Sequence, residues 1–247
     1  MSARVRSACS SEVVKIRTVH GLVVGASLAA LALPLTSLLV VSTGGLGEAD
    51  TITSGAATGS VFGLLAFGAW GASVAASEYV HDTITVSLGT VPRRTALYGA
   101  KVAVVAAVAG AGALVSALLA FLLVLAATPS GHRTGTPEAL VAIVLAAVAV
   151  AVVGTALGFL TRSSTASISV VVAAVLLPKA AGGLLGGLQP WVVGASPGTV
   201  ITQWVQGGQL ATDQTYPAGT ALATLTLLGV AAAVVVGGWW SFTRRDG

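Results

Sequence analysis

The chain has 247 residues, of which 55% are hydrophobic and 8% are charged, and its formal net charge is +4. Soluble domains carry roughly 25% charged residues, so this composition excludes a soluble globular domain and indicates an integral membrane protein. The single cysteine, Cys9, excludes an intramolecular disulfide and a cysteine-based metal site. The bases are spread over several short loops, a pattern that sets membrane orientation and argues against nucleic-acid binding.

Residues 4–20 predict an amphipathic helix. One side of its helical wheel gathers Val5, Ala8, Cys9, Val13, Ile16 and Val19. The pattern has two exceptions, because Glu12 falls within the apolar sector and Val14 lies opposite it. Two interpretations stay open: an interfacial helix on the inner membrane surface, or a frayed basic leader that only sets orientation. The apolar run that follows is too long for a signal peptide, so we expect a retained first span.

Six apolar runs follow this helix. Each reaches the length of about 20 residues that a helix needs to cross a hydrocarbon core of about 30 Å. They cover residues 21–43, 58–77, 102–127, 138–160, 166–188 and 218–240. The sequence therefore predicts an all-α integral membrane protein. We expect one transmembrane domain over residues 1–247, with an N-terminal amphipathic interfacial helix and six transmembrane helices.

The positions of the bases predict the orientation. Placing both termini in the cytoplasm puts every lysine and arginine on the inner side except Arg133 and Lys179. This is a strong positive-inside signal, so we expect both termini to be cytoplasmic.

The fifth run is irregular. Pro178 removes a backbone donor and should kink the helix, and several glycines follow it. We expect residues 189–217 to form an outer interfacial or re-entrant segment, with a short helix over residues 197–205. Lys179 is the ionisable group that lies well inside a span. It either lines a cavity or snorkels to the outer boundary through its long stem.

The longest charged stretch between two apolar runs covers residues 78–101. Acids lie at its start and bases at its end: Glu78, Asp82, Arg93, Arg94 and Lys101. Such a segment facing water is suited to contact a soluble partner, because its charges can set register and pairing. The alternative is that these charges only mark span ends for orientation.

Catalytic and nucleotide-binding motifs are largely excluded. No lysine follows a glycine as in a phosphate-binding P-loop, and no His-Glu-x-x-His occurs. The stretch 194–198 matches G-x-S-x-G around Ser196, with His132 and Asp213 predicted on the same side, but the strand–turn–helix setting is lacking. No acid lies in the middle of a span, which weakens an ion-coupled carrier. We expect no catalytic residue, cofactor or metal in this chain.

Together these features resemble the permease subunit of ABC transporters of the type-2 exporter family. The resemblance covers the whole chain and is most specific in Glu78-Tyr79-x-x-Asp82-Thr83-Ile84, followed by Pro92-Arg93-Arg94 and Ala100-Lys101. Family members carry a Glu, a Gly-Thr pair, a Ser-Pro-x-x-Arg-like turn and an Ala-Lys pair. Here Asp82 replaces the usual glycine, and Thr90-Val91-Pro92 replaces Ser-Pro.

The resemblance implies a multi-pass permease of the bacterial cytoplasmic (inner) membrane. Two permeases would pair as a homodimer or heterodimer among membrane lipid, and separate ABC ATPase subunits would bind ATP and Mg on the inner face. Residues 78–101 would form the coupling segment, with Glu78, Asp82, Arg93 and Arg94 as its ATPase-coupling residues.

The composition of the spans indicates the class of cargo, and two other functions remain as alternatives to a permease. Spans nearly free of charge suggest an amphiphilic or apolar cargo, such as a drug, an antibiotic or a lipid. One alternative is a non-transporting membrane scaffold or anchor that recruits a soluble partner through residues 78–101. Another is an intramembrane hydrolase that uses Ser196.

Overall fold

A computed structural model describes residues 3–47, 50–80, 89, 94–128, 132–206 and 214–244, with side chains from residue 8 onward. Within these ranges every regular element is a helix and no strand occurs, which confirms the predicted all-α class. The helices are α1 (Ala3–Thr18), α2 (His20–Ser42), α3 (Ile52–Ala57), α4 (Ser60–Val80), α5 (Arg94–Ala127), α6 (Glu138–Thr161), α7 (Ser164–Ala180), α8 (Gln189–Gly194), α9 (Pro197–Gln206) and α10 (Thr220–Arg244).

The described residues contain 5 helices that are long and apolar enough to cross a membrane. They are α2, the continuous pair α3–α4, α5, α6 and α10. The fifth predicted run behaves differently, because α7 has only 17 residues. At 1.5 Å per residue it spans about 25 Å, which is less than a hydrocarbon core of about 30 Å. A complete crossing over residues 166–188 therefore stays a prediction.

The backbone after α7 is irregular. The helix ends at Ala180, soon after Pro178, and two 3₁₀ turns follow, Gly182–Leu184 and Gly186–Leu188. The short helices α8 and α9 follow, and α9 packs against α6. The side-chain amide of Gln203 in α9 donates to the carbonyl of Gly194 in α8 at 2.7 Å. The depth of this segment in the membrane stays a prediction.

Helices α4 and α6 form the central pair of the bundle, and glycines allow their close approach. A Cβ atom at Gly71 would overlap the carbonyl oxygen of Ala151, and one at Gly154 would overlap the carbonyl of Gly68. The hydroxyl of Thr155 donates to the carbonyl of Gly71 at 3.0 Å, which links the two backbones directly. Small residues at this crossing replace the side-chain interlock of a soluble core.

The two ends of the bundle differ in charge. One end, here called the basic end, carries Lys15, Arg94, Lys101, Arg162 and Arg244. At the opposite end the amide of Ile52 donates to the carbonyl of Arg133 at 2.9 Å, which joins the loop before α6 to the start of α3. The charged segment, residues 78–101, includes Arg94 and Lys101 and therefore lies at the basic end.

Candidate coupling site

Glu78 lies in the last turn of α4, at the start of the predicted coupling segment. The residue is buried, with an exposed fraction of 5%. Its Oε1 atom accepts hydrogen bonds from Lys15 Nζ at 2.7 Å and from Lys101 Nζ at 3.0 Å. The side chain of Glu78 therefore faces the interior of the bundle, between α1 and α5.

Glu12 completes a group of four charges from three helices. Lys101 donates to Glu12 Oε2 at 2.6 Å, and Lys15 donates to Glu12 Oε1 at 3.0 Å. We name Glu12, Lys15, Glu78 and Lys101 the ion cluster. Each ammonium contacts both carboxylates, so the two positive and two negative charges balance.

The two cluster residues in α1, Glu12 and Lys15, have pKa values that favour their charged forms. Burial raises the pKa of the Glu12 carboxyl, but the neighbouring ammonium groups of Lys101 and Lys15 outweigh this and leave the pKa below its ordinary value. Burial lowers the pKa of Lys15, but its contacts with Glu78 and Glu12 outweigh this and leave the pKa raised. Both shifts favour ionised side chains at neutral pH.

The ion cluster explains the irregular wheel of α1. Glu12 falls in the apolar sector because that side of α1 faces Lys101, and Val14, on the other side, is 56% exposed. Val19 was predicted on the apolar side but is 48% exposed, because it lies beyond the end of α1. Sequence reasoning left Glu12 unexplained, although an acid in an apolar sector was itself the signal of a buried partner.

The cluster also borders a cavity of about 360 Å³. Its walls beyond the four charges are mainly apolar and include Ile16, Leu22 and Val74. The indole of Trp70 donates to the carbonyl of Leu22 at 3.0 Å, which fixes the start of α2 against α4 next to this cavity.

The other side of the predicted coupling segment begins at Arg94, in the first turn of α5. Its guanidinium lies 6.0 Å from the ring centroid of Phe242, and its Nη1 atom donates to the Phe242 carbonyl at 3.5 Å. One turn later the Tyr98 hydroxyl donates to the carbonyl of Val235 at 2.7 Å. The start of α5 is therefore attached to the end of α10.

Aromatic rings fill the space between these attachments. The ring of Phe159 in α6 lies 4.8 Å from that of Phe242 and 4.9 Å from that of Tyr98. Arg162, which ends α6 in a left-handed conformation, lies 5.5 Å from the ring centroid of Tyr79. Both flanks of residues 81–93 thus rest on a packed set of helix ends.

The remaining predicted site residues lie elsewhere. Asp82 and Arg93 fall outside the described residues, and their coupling role stays a prediction. Lys179 lines a cavity at the opposite end of the bundle. Ser196 is buried between α8 and α9 and donates to the Thr199 hydroxyl at 2.9 Å. Among the described residues, Ser196 has no strand–turn–helix setting.

Comparison with known protein families identifies a matching family. A sequence model described as "ABC-2 family transporter protein" matches residues 8–177. This range is more than half of the chain and contains all four residues of the ion cluster. No curated protein and no solved structure matches.

Proposed function

The chain belongs to the ABC-2 family of transporter proteins and is a multi-pass membrane permease component of an ABC transporter; on this basis we propose that it serves an ATP-driven exporter. Membership implies partnership with an ABC ATPase subunit. In this proposal the permease performs no catalysis, and the ATPase binds ATP and Mg. A second permease copy, identical or related, completes the path across a bacterial cytoplasmic membrane.

The ion cluster is the observation that supports coupling through residues 78–101. It joins α1 to α4 and α5, the two helices that flank residues 81–93. Displacement of that segment by an ATPase would move the ends of α4 and α5. Because Glu78 and Lys101 bind each other, and each also binds a residue of α1, both helix ends and α1 would move as one body.

This geometry divides the predicted coupling residues into two groups. Glu78 is buried, so we assign it a positioning role that acts through Lys15 and Lys101. Arg94 is half-buried against Phe242 and would pass displacement to α10. Direct contact with the ATPase is left to Asp82, Arg93 and their neighbours. Opposite charges on these two side chains suit pairing with a soluble partner.

An apolar cavity supports an amphiphilic or apolar cargo. It has a volume of about 340 Å³ and lies between α6, α7, α8 and α10. Its walls are largely hydrocarbon and include Val150, Val171, Val230 and Trp191. Cavities of this size and composition bind drug-sized or lipid-like molecules.

Co-purification tests the coupling. The tagged permease is purified in mild detergent with its ATPase, and Asp82→Lys and Arg93→Glu are compared with Arg133→Glu, a charge reversal at the opposite end. The proposal predicts loss of the ATPase from the first two variants and retention in the control. Retention in all three would overturn docking through residues 78–101. Recovery of a soluble partner without a P-loop would favour the scaffold alternative.

A further inference from the structure

The cavity that Lys179 lines lies at the opposite end of the bundle, distant from the ion cluster. Its volume is about 570 Å³, and it lies between α3, α4, α7 and α9. Its polar lining consists of Ser54, Thr58, Lys179, Thr199, Thr202 and Gln206, among others. The rest is hydrocarbon, from side chains such as Val61, Val175 and Ile201. The cavity therefore has one charged group, several hydroxyls and an apolar surface.

Lys179 is the cationic residue of this polar lining. It lies in the last turn of α7, and its side chain is exposed to the cavity. Among the described residues, no carboxylate lies within ion-pair distance of its ammonium group. The C-terminal end of a helix dipole favours a cation, but only weakly compared with a paired carboxylate. Because no described carboxylate pairs with it, the ammonium group of Lys179 is available to an anion that enters the cavity.

The polar side chains of the lining differ in whether they still have a proton to donate to a ligand. The hydroxyl of Thr58 already donates to the carbonyl of Ser54 at 3.0 Å, and the hydroxyl of Thr202 donates to the carbonyl of Gly198 at 2.9 Å. Thr199 differs, because its hydroxyl accepts from Ser196 and keeps its own proton. Within the described part of the chain, the amide of Gln206 likewise has no acceptor. Lys179, Thr199 and Gln206 thus supply donors toward one volume.

We propose that this cavity binds the acidic head group of an anionic amphiphile, a carboxylate or a phosphate, with Lys179 as its cation. The hydrocarbon part lies along Val61, Val175 and Ile201. Interpretation of this ligand as cargo rests on the proposed transport function, whereas binding itself does not. The same head-group chemistry occurs in a transported amphiphile and in an anionic phospholipid of the bilayer.

Binding to the full-length protein in lipid nanodiscs tests the proposal. The probes are a spin-labelled long-chain fatty acid and the neutral alcohol of the same chain length, in discs of phosphatidylcholine. Lys179→Met is compared with Lys179→Arg, which keeps the charge, and with Arg133→Met as a control at the same end. We expect the dissociation constant for the fatty acid to rise at least tenfold in Lys179→Met. Lys179→Arg and the control should bind it as the wild type does, and the alcohol should bind equally to all variants.

Several results would overturn the proposal. Equal binding of acid and alcohol by the wild type would remove recognition of the charge. An unchanged dissociation constant in Lys179→Met would show that the lysine only snorkels. Equal weakening for both probes would mean that the variant distorts the cavity, and Thr199→Val then repeats the test at a second polar residue of the cavity, in α9. If Thr199→Val also fails to weaken the acid selectively, the proposal is wrong.

The source of the ligand is separated by a second set of discs. With phosphatidylglycerol in the bilayer, competition against the fatty acid identifies a bilayer lipid as the occupant, and undiminished binding identifies a free amphiphile. Either result supports an anion site at Lys179. The measurement needs no ATPase, so failure of the coupling experiment leaves it intact. Conversely, loss of the anion site would leave ATPase docking unaffected.

Discussion

The Nζ atom of Lys101 lies 2.6 Å from Oε2 of Glu12, and both side chains are only 2% exposed. The two residues are 89 positions apart in the sequence. This contact joins the N-terminal helix α1 to the start of α5 without exposure to water. A fully desolvated ion pair of this kind is costly to separate, so α1 is held as part of the bundle.

Removal of the Lys101 charge tests how strongly α1 is held. Lys101→Met would leave two buried carboxylates with only Lys15 to balance them, and breaking a buried pair costs about 3–5 kcal/mol. We expect a lower thermal unfolding temperature in detergent and faster alkylation of Cys9, the single cysteine, which lies one turn before Glu12.

A matched variant and a double variant sharpen that test. Arg17→Met makes a similar charge-removing change in α1, but the Arg17 side chain is exposed, so little change is expected. Lys101→Met combined with Glu12→Leu restores charge balance and should recover part of the lost stability. Equal unfolding temperatures for Lys101→Met and Arg17→Met would refute a stabilising cluster.

The pH dependence of α1 attachment follows from two groups. Glu12 has a pKa lowered from its ordinary 4.5, so its contribution is present above that value and is lost as the pH falls through the folded pKa. Lys15 has a pKa raised from 10.5, so its contribution is present below that value and is lost as the pH rises through the folded pKa. We expect constant protection of Cys9 between about pH 5 and pH 10.

The readout for this prediction is the Cys9 alkylation rate divided by the rate in unfolded protein at the same pH. Glu12→Gln should abolish the acidic limb of the profile. A change in protection centred near pH 7 would contradict the assignment.

The α4–α6 crossing provides a prediction about packing. A methyl group at Gly71 would overlap the carbonyl of Ala151, so Gly71→Ala should force the two helices apart and cost about 1–3 kcal/mol or more. Gly229 in α10 has nothing within 4 Å of the same added atom, so Gly229→Ala should be tolerated. Thermal unfolding of both variants, with dispersity by size-exclusion chromatography, checks the difference. Similar behaviour would show that the close approach is not required.

The helical class and the positions of most long apolar helices could be predicted from the sequence. An apolar run that crosses a bilayer must satisfy its backbone hydrogen bonds internally, as a helix does. α6, predicted over 138–160, is observed at Glu138–Thr161. The fifth run shows the limit of this reasoning, because hydropathy continues past Pro178 while the helix ends at Ala180. Glycines there are apolar enough to extend a run and too flexible to extend a helix.

The candidate site was less predictable than the fold. Glu78 was placed at the water-facing start of a loop, whereas it is buried beside Lys15 and Lys101. Its partners come from helices far away in sequence, and single-sequence patterns do not specify which helix faces pack together. Lys101 was placed at the basic end of the charged segment that faces water, yet its side chain is buried and contacts both Glu12 and Glu78.

Site-directed cross-linking at Gly89 asks whether an ATPase binds residues 78–101. Gly89 is exposed and is the described residue within the stretch between α4 and α5, so a cysteine there has room for a reagent. In a Cys9→Ser background, Gly89→Cys is cross-linked in membranes and compared with Gly183→Cys, at an exposed glycine beyond α7. We expect an adduct at position 89 with a P-loop ATPase, identified by mass spectrometry, and none at position 183. An intact complex that gives no adduct at position 89, or gives one at position 183, would contradict coupling through residues 78–101.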